Sequence, residues 1–195
     1  MQLNEDKVKR VEKPANQSFI FLTVGRLVRV KNIEMQIRTL AQLGNRNWGL
    51  WIVGDGSEKN ALSNLAYKLG VAEKIKFFGQ QDHSSLFRLY QLADCFLLTS
   101  LEEGWGLAVA EAAYFGLPII MTDVGCAGEF IKDNYNGRVI KPGDHADLLK
   151  VVEEIIRDKD LSLRLGENAK QSFKDLPNQE VVLELYLKSW KKARL

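Results

Sequence analysis

The chain is predicted to fold as an α/β domain, a doubly wound, mostly parallel sheet of six strands in the Rossmann-like manner. Three observations predict it. Short runs of bulky apolar residues, each closed by glycine or a polar turn, alternate with segments whose apolar residues recur at helical spacing. The runs are apolar on both faces, as strands covered by helices on both sides must be, and right-handed crossovers then wind the helices over the two faces. Finally, 195 residues that are 46% hydrophobic and 27% charged suffice for one well-buried domain.

The first strand is Phe19-Ile20-Phe21-Leu22-Thr23-Val24, stopped by Gly25 after a polar lead-in that ends near Gln17. A helix is expected from Asn32 to about Leu43. Trp48 to Val53 is the second strand, closed by Gly54-Asp55-Gly56; Ser57 then reads as the cap of a helix whose Leu62, Leu65, Ala66 and Leu69 share one face up to Gly70. Lys74 to Phe78 is a third strand ending in Gly79, Ser84 to Leu92 a helix, and Asp94 to Thr99 a fourth strand. A helix from Gly106 to Phe115 follows, ended by Gly116 and Pro118. Leu117 to Thr122 is the fifth strand, Gly128 to Lys132 a short helical turn, and Gly137 to Ile140 the sixth strand. Helices over about 146–157, 162–174 and 178–194 complete the chain.

Composition narrows the function. Lys+Arg 27 against Asp+Glu 25 leaves a formal net charge of +2, so no global field points to nucleic acid or to a membrane surface. The two cysteines, Cys95 in a strand-like run and Cys126 in a turn, form neither a disulfide framework nor a metal-ligand spacing. The longest apolar stretch, Leu107 to Met121, is broken by Glu111, Gly116 and Pro118, and the charged start is unlike a signal peptide. The expectation is a soluble, cytoplasmic protein with no metal.

Candidate site residues gather where the topology sends ligands, outside the carboxyl ends of the strands. The helix from Gly106 opens without a Ser, Thr, Asp or Asn cap, leaving backbone N–H groups and the positive end of the dipole free for an anion. The same helix is apolar almost all round, which predicts burial; Glu111 is its exception, and a carboxylate there needs hydrogen-bond donors, for which sugar hydroxyls are suited. Glu103 would lie at the mouth of that pocket. Arg26 and Lys31 follow the first strand and could together neutralise a diphosphate. Each of these taken alone reads as a solvated loop charge or a structural cap. Lys59 stands where a dinucleotide fingerprint wants its third glycine, which argues against a nicotinamide or flavin cofactor.

Taken together, Gly25-Arg26-Leu27 with Lys31-Asn32, Val53-Gly54-Asp55-Gly56, Phe78-Gly79, Ala93-Asp94 with Ser100, Glu103 to Ala112, and Gly125 to Glu129 resemble the C-terminal half of group 1 glycosyltransferases. These are retaining enzymes of the two-domain GT-B architecture, and Glu103 and Glu111 match their E-x7-E signature. The resemblance covers about residues 19–158, in order. It implies that Arg26 and Lys31 bind the donor diphosphate and, with Glu103, form the catalytic set. Glu111 would accept from the ribose hydroxyls and Glu103 from those of the donor sugar. The backbone of Trp105, Gly106, Leu107 and Ala108 would meet sugar and phosphate, and the loop at Phe78, Gly79 and Gln80 would pack on the base. Trp105 in place of the family's commoner Phe, and Cys126-Ala127 after Gly125, are departures that bear on sugar preference.

The resemblance further implies a donor-binding half at 18–176. Residues 1–17 would come from an interdomain region, and a C-terminal helix at 177–195, with Leu185, Tyr186 and Trp190, would pack toward an N-terminal acceptor domain absent from this chain. The expected substrate is a UDP- or GDP-linked sugar, transferred to a saccharide or lipid-linked saccharide in polysaccharide biosynthesis, with no cofactor. The isolated half would be inactive. Any membrane contact would be peripheral, at the inner face and mostly through the other half. The competing reading is a non-catalytic nucleotide-sugar-binding or partner subunit of the same fold.

Overall fold

The computed structural model describes residues 19–176. The elements are β1 (Phe19–Val24), α1 (Ile33–Ala41), β2 (Trp48–Val53), α2 (Lys59–Lys68), β3 (Ile75–Gly79), α3 (His83–Leu92), β4 (Cys95–Leu98), α4 (Leu107–Tyr114), β5 (Ile119–Thr122), β6 (Arg138–Ile140), α5 (His145–Arg157) and α6 (Lys159–Lys174). The six strands lie in the order β3-β2-β1-β4-β5-β6, and every pairing is parallel. This is the doubly wound sheet expected from the alternation. The lead-in and the helix expected over 178–194 lie outside the described residues.

Because successive strand side chains point to opposite faces, the sheet supports two cores. Phe21, Leu50, Ile52, Cys95, Leu97, Ile120 and Ile140 pack under α1, α2 and α5. Ile20, Leu22, Trp51, Val53, Phe96, Leu98, Ile119 and Met121 pack under α3 and α4, with Ala169 of α6 closing that layer. β2 and β4 are buried along their whole length, as central parallel strands should be.

Three local expectations are corrected. Ser57 does not cap α2: the helix begins at Lys59 behind Glu58, with no side-chain cap, because the Glu58 N–H is taken by the Leu27 carbonyl of the neighbouring loop at 2.9 Å. The helical turn expected over Gly128 to Lys132 is an isolated turn that starts earlier: the Phe130 N–H reaches the Cys126 carbonyl at 2.9 Å, the Gly128 N–H donates to the Ile131 carbonyl at 2.7 Å, and the Asn136 side chain ties the Lys132 N–H and the Phe130 carbonyl, so no helix continues. Finally, α4 is buried on one side only. Val109, Ala112 and Ala113 are fully buried, while Leu107 (77% exposed), Glu111 and Tyr114 (51% exposed) form an outer stripe at i, i+4 and i+7.

Candidate functional site

The strand order reverses direction at β1, with β2 on one side of it and β4 on the other, so the loops after β1 and β4 meet at the carboxyl edge. Their meeting is held by the Leu101 N–H on the Val30 carbonyl at 2.7 Å, and by the Thr99 hydroxyl on the carbonyls of Asn32 (3.0 Å) and Lys31 (3.3 Å). A short 3-10 turn at Arg29–Lys31 ends in Asn32, whose left-handed φ of 47° turns the chain into α1. The loop after β2 joins them. Leu27, fully buried, donates its N–H to the Asp55 carbonyl at 2.9 Å.

This geometry brings Lys31 and Glu103, 72 residues apart, into an ion pair, with side chains 22% and 15% exposed. The Ser100 hydroxyl donates to the same Glu103 oxygen at 3.2 Å. Arg26, two residues past β1 in the same loop as Lys31, is exposed and makes no ion pair among the described residues. Two cations therefore share the edge with Glu103 and with Asp55 of the neighbouring loop, which pairs with Lys59 at 3.6 Å.

The start of α4 is as open as its sequence predicts. Gly106 stands at the N-cap with φ of 93°, no side chain caps the helix, and Leu107 and Ala108 as its first residues have no intrahelical acceptor for their N–H groups. Gly125 closes beneath it: with φ of 60°, a Cβ there would fall 2.9 Å from the Trp105 carbonyl and 3.1 Å from Glu103, so only glycine lets the β5 loop approach so near. The Trp105 carbonyl accepts from the Cys126 N–H at 3.0 Å. The Trp105 ring stacks on Phe130 at 5.5 Å, where it borders a cavity of about 600 Å³ with Lys132, Tyr135 and Ser172.

Glu111, one turn along α4, accepts a hydrogen bond from the Tyr90 hydroxyl at 2.8 Å. Burial first, and then the Glu111 charge, push the Tyr90 hydroxyl far above its ordinary pKa, so Tyr90 remains a donor and orients the carboxylate. Sequence reasoning missed Tyr90. On α3 it reads as a core aromatic beside Leu86 and Leu89, and the only available signal is that a buried tyrosine hydroxyl needs a partner.

Gly79 ends β3 and Gln80 follows it at the same edge, where the Gly79 carbonyl accepts from the Gly54 N–H at 2.8 Å and Gln81 Nε2 donates to the carbonyls of Phe78 (2.7 Å) and Gln80 (3.0 Å). Ala93-Asp94 belongs elsewhere. Asp94 accepts from the Ile20 N–H at 2.6 Å at the opposite edge, tying β4 to β1. Among the described residues no cluster of three or more His, Cys, Asp or Glu could hold a metal ion, and no helix is long and apolar enough to cross a membrane.

Residues 4–172 match the family model of glycosyl transferases group 1. The chain belongs to this family. It is 29% identical over 178 residues to the lipopolysaccharide core biosynthesis glycosyltransferase LpsE of Rhizobium meliloti, covering 91% of this chain and 51% of that protein. Among solved structures of the group 1 fold, sucrose-phosphate synthase from Thermosynechococcus elongatus aligns at a TM-score of 0.82 and 26% identity, covering 93% of this chain and 46% of that one. Anabaena HepE, solved in complex with UDP and glucose, shares the fold at a TM-score of 0.79 and 24% identity, over 93% of this chain and 49% of its own. The chain spans about half the length of the curated relative LpsE.

Proposed function

We propose that this chain is the donor-binding half of a retaining glycosyltransferase that moves a hexosyl group from a nucleoside diphosphate sugar to an acceptor hydroxyl. The observation that carries the reading is the convergence, at one sheet edge, of Lys31 paired with Glu103, exposed Arg26 and the uncapped start of α4. Family membership supplies the chemistry that such a constellation serves.

In this reading Arg26, Lys31 and the N–H groups of Leu107 and Ala108 receive the diphosphate, and they stabilise the charge that develops as it departs. Glu103 holds the sugar hydroxyls and Glu111, oriented by Tyr90, the ribose hydroxyls, where an ionised carboxylate accepts without competing donors of its own. The loop at Phe78, Gly79 and Gln80 takes the base of UDP or GDP, uracil or guanine. The N-terminal half of the family's architecture would supply the acceptor site, so residues 18–176 bind donor but do not by themselves transfer sugar.

Calorimetric titration with UDP and GDP, with and without EDTA, tests the reading. The expected result is metal-independent binding of one nucleotide that weakens at least about tenfold in Glu111→Ala, a loss of about 1.4 kcal/mol. Binding of neither nucleotide, by this chain and by a longer form carrying the second domain, would refute it.

A further inference from the structure

The helix α1 buries one amide, Gln36, in a face otherwise made of Ile33, Ile37 and Leu40. Its Nε2 donates to Thr99 Oγ1 at 2.9 Å and to Thr23 Oγ1 at 3.3 Å, while its Oε1 is buried with no partner among the described residues. An orphaned acceptor in an apolar layer lowers stability, and a leucine or methionine of similar volume would not carry that penalty. The orientation of the amide follows from Thr99. That hydroxyl gives its one proton to the carbonyls of Asn32 and Lys31, so its oxygen must accept, and Gln36 has to present N–H toward it.

A continuous chain of hydrogen bonds thus runs from the middle of α1 through the end of β4 to the backbone that carries Lys31. Thr23 closes the last turns of β1 onto the same amide. The turn it serves is also held by the Lys31 N–H on the Val28 carbonyl (2.9 Å), the Asn32 N–H on the Arg29 carbonyl (3.0 Å), the Met35 N–H on the Asn32 carbonyl (3.0 Å), the link from Leu101 to Val30 and, at its side chain, the Lys31–Glu103 pair, so Thr99 is the contact that joins its backbone to the core. Asn32 also sits in the left-handed region, which asparagine tolerates better than most residues other than glycine.

We propose that Gln36 is a positioning residue for the donor site, holding the Lys31 turn in register through Thr99 at a cost to the stability of the fold. The inference rests on the donor-binding reading above. A stability penalty kept at the centre of a core is the expected mark of a residue that serves the site, since local rules of packing are broken where function needs them broken.

The test uses Gln36→Met, which keeps the length and removes the donors, with Thr99→Val and Thr99→Ser as second and third variants. In the ligand-free chain, amide exchange at Lys31, Asn32 and Leu101 is expected to quicken by about tenfold in Gln36→Met and in Thr99→Val, with β2 amides unchanged and the Gln36→Met melting temperature equal to wild type or higher. UDP or GDP, whichever wild type takes, then binds about five- to tenfold more weakly to both variants, while Thr99→Ser, which keeps the hydroxyl, restores both readouts. A lower melting temperature with unchanged exchange in the turn would make Gln36 a purely structural amide and overturn the proposal. Accelerated exchange with nucleotide affinity unaltered would also overturn it. Absence of nucleotide binding by wild type refutes the donor reading itself, and with it the role of Lys31, whatever the exchange shows.

Discussion

Replacing Glu103 with glutamine should tighten the binding of a free nucleoside diphosphate more than that of the intact donor. In the ligand-free chain the Lys31 ammonium is engaged by Glu103, so a diphosphate has to draw it away from a carboxylate and to bind near that negative charge. The amide introduced by Glu103→Gln would keep the size and could still accept from Ser100, leaving Lys31 available. At about 4 Å and an effective dielectric constant of about 20, a unit charge pair is worth about 4 kcal/mol. Solvent reaches both side chains in part, and the freed ammonium must find water until the ligand arrives, so about 1–2 kcal/mol of this should reach the diphosphate. That is a UDP dissociation constant roughly five- to thirtyfold lower, measured by calorimetry at low ionic strength. The gain should shrink as salt is added. Nucleotide sugar should gain less than UDP, because the neutral amide is a weaker acceptor for sugar hydroxyls. An affinity for UDP that is unchanged or weaker in Glu103→Gln would refute the idea that the ion pair competes with the donor.

Other outcomes follow from single contacts. Gly56→Ala places a Cβ 2.3 Å from the Leu27 carbonyl, and Gly166→Ala one 2.2 Å from the Gly116 carbonyl; each should lose about 1–3 kcal/mol in chemical denaturation, against almost no change for Gly104→Ala, where nothing lies within 4 Å. Tyr90→Phe should lose about 1–2 kcal/mol of stability with the hydrogen bond to Glu111, and should weaken nucleotide binding less than Glu111→Ala does. Both thiols should react slowly with a thiol reagent near neutral pH and fully only in denaturant, since burial pushes Cys126 up to about 11 and Cys95 well above its ordinary value. Asp82 caps α3, and the Ser85 N–H, then the Ser84 hydroxyl, hold its carboxyl below 3.8, so its stabilising effect is present above that unfolded value and lost as the pH falls through the lower folded one. Thermal melts of Asp82→Ala and wild type should therefore differ near neutral pH and converge in strong acid.

The alternation of apolar runs and helical spacing was sufficient for the order and kind of the described strands and of the helices α1 to α6, because side-chain period and glycine punctuation report burial and chain reversal locally. The uncapped start of α4 was equally legible, since a cap is a property of a few consecutive residues. Legibility failed where a local pattern met a distant partner. Ser57 had the right chemistry for a cap, but the Leu27 carbonyl decided where α2 begins. The run from Gly128 closes as an isolated turn, because the Asn136 side chain takes the Lys132 N–H and the Phe130 carbonyl that a helix would use. Leu107 and Tyr114 looked buried by composition and lie outside, since α4 covers the sheet with only one side.

By itself, then, the amino-acid sequence determined a parallel α/β sheet with charges and glycines at the strand ends, and it marked Arg26, Lys31, Glu103 and Glu111 as the residues to watch. Only the tertiary structure decided that Lys31 meets Glu103, that Tyr90 aims Glu111 and that Gln36 reaches the Lys31 turn through Thr99. The physical reason is that strand order sets which loops become neighbours. β1 lies beside β4 across more than 70 residues of intervening chain, and no periodicity within either segment encodes that adjacency.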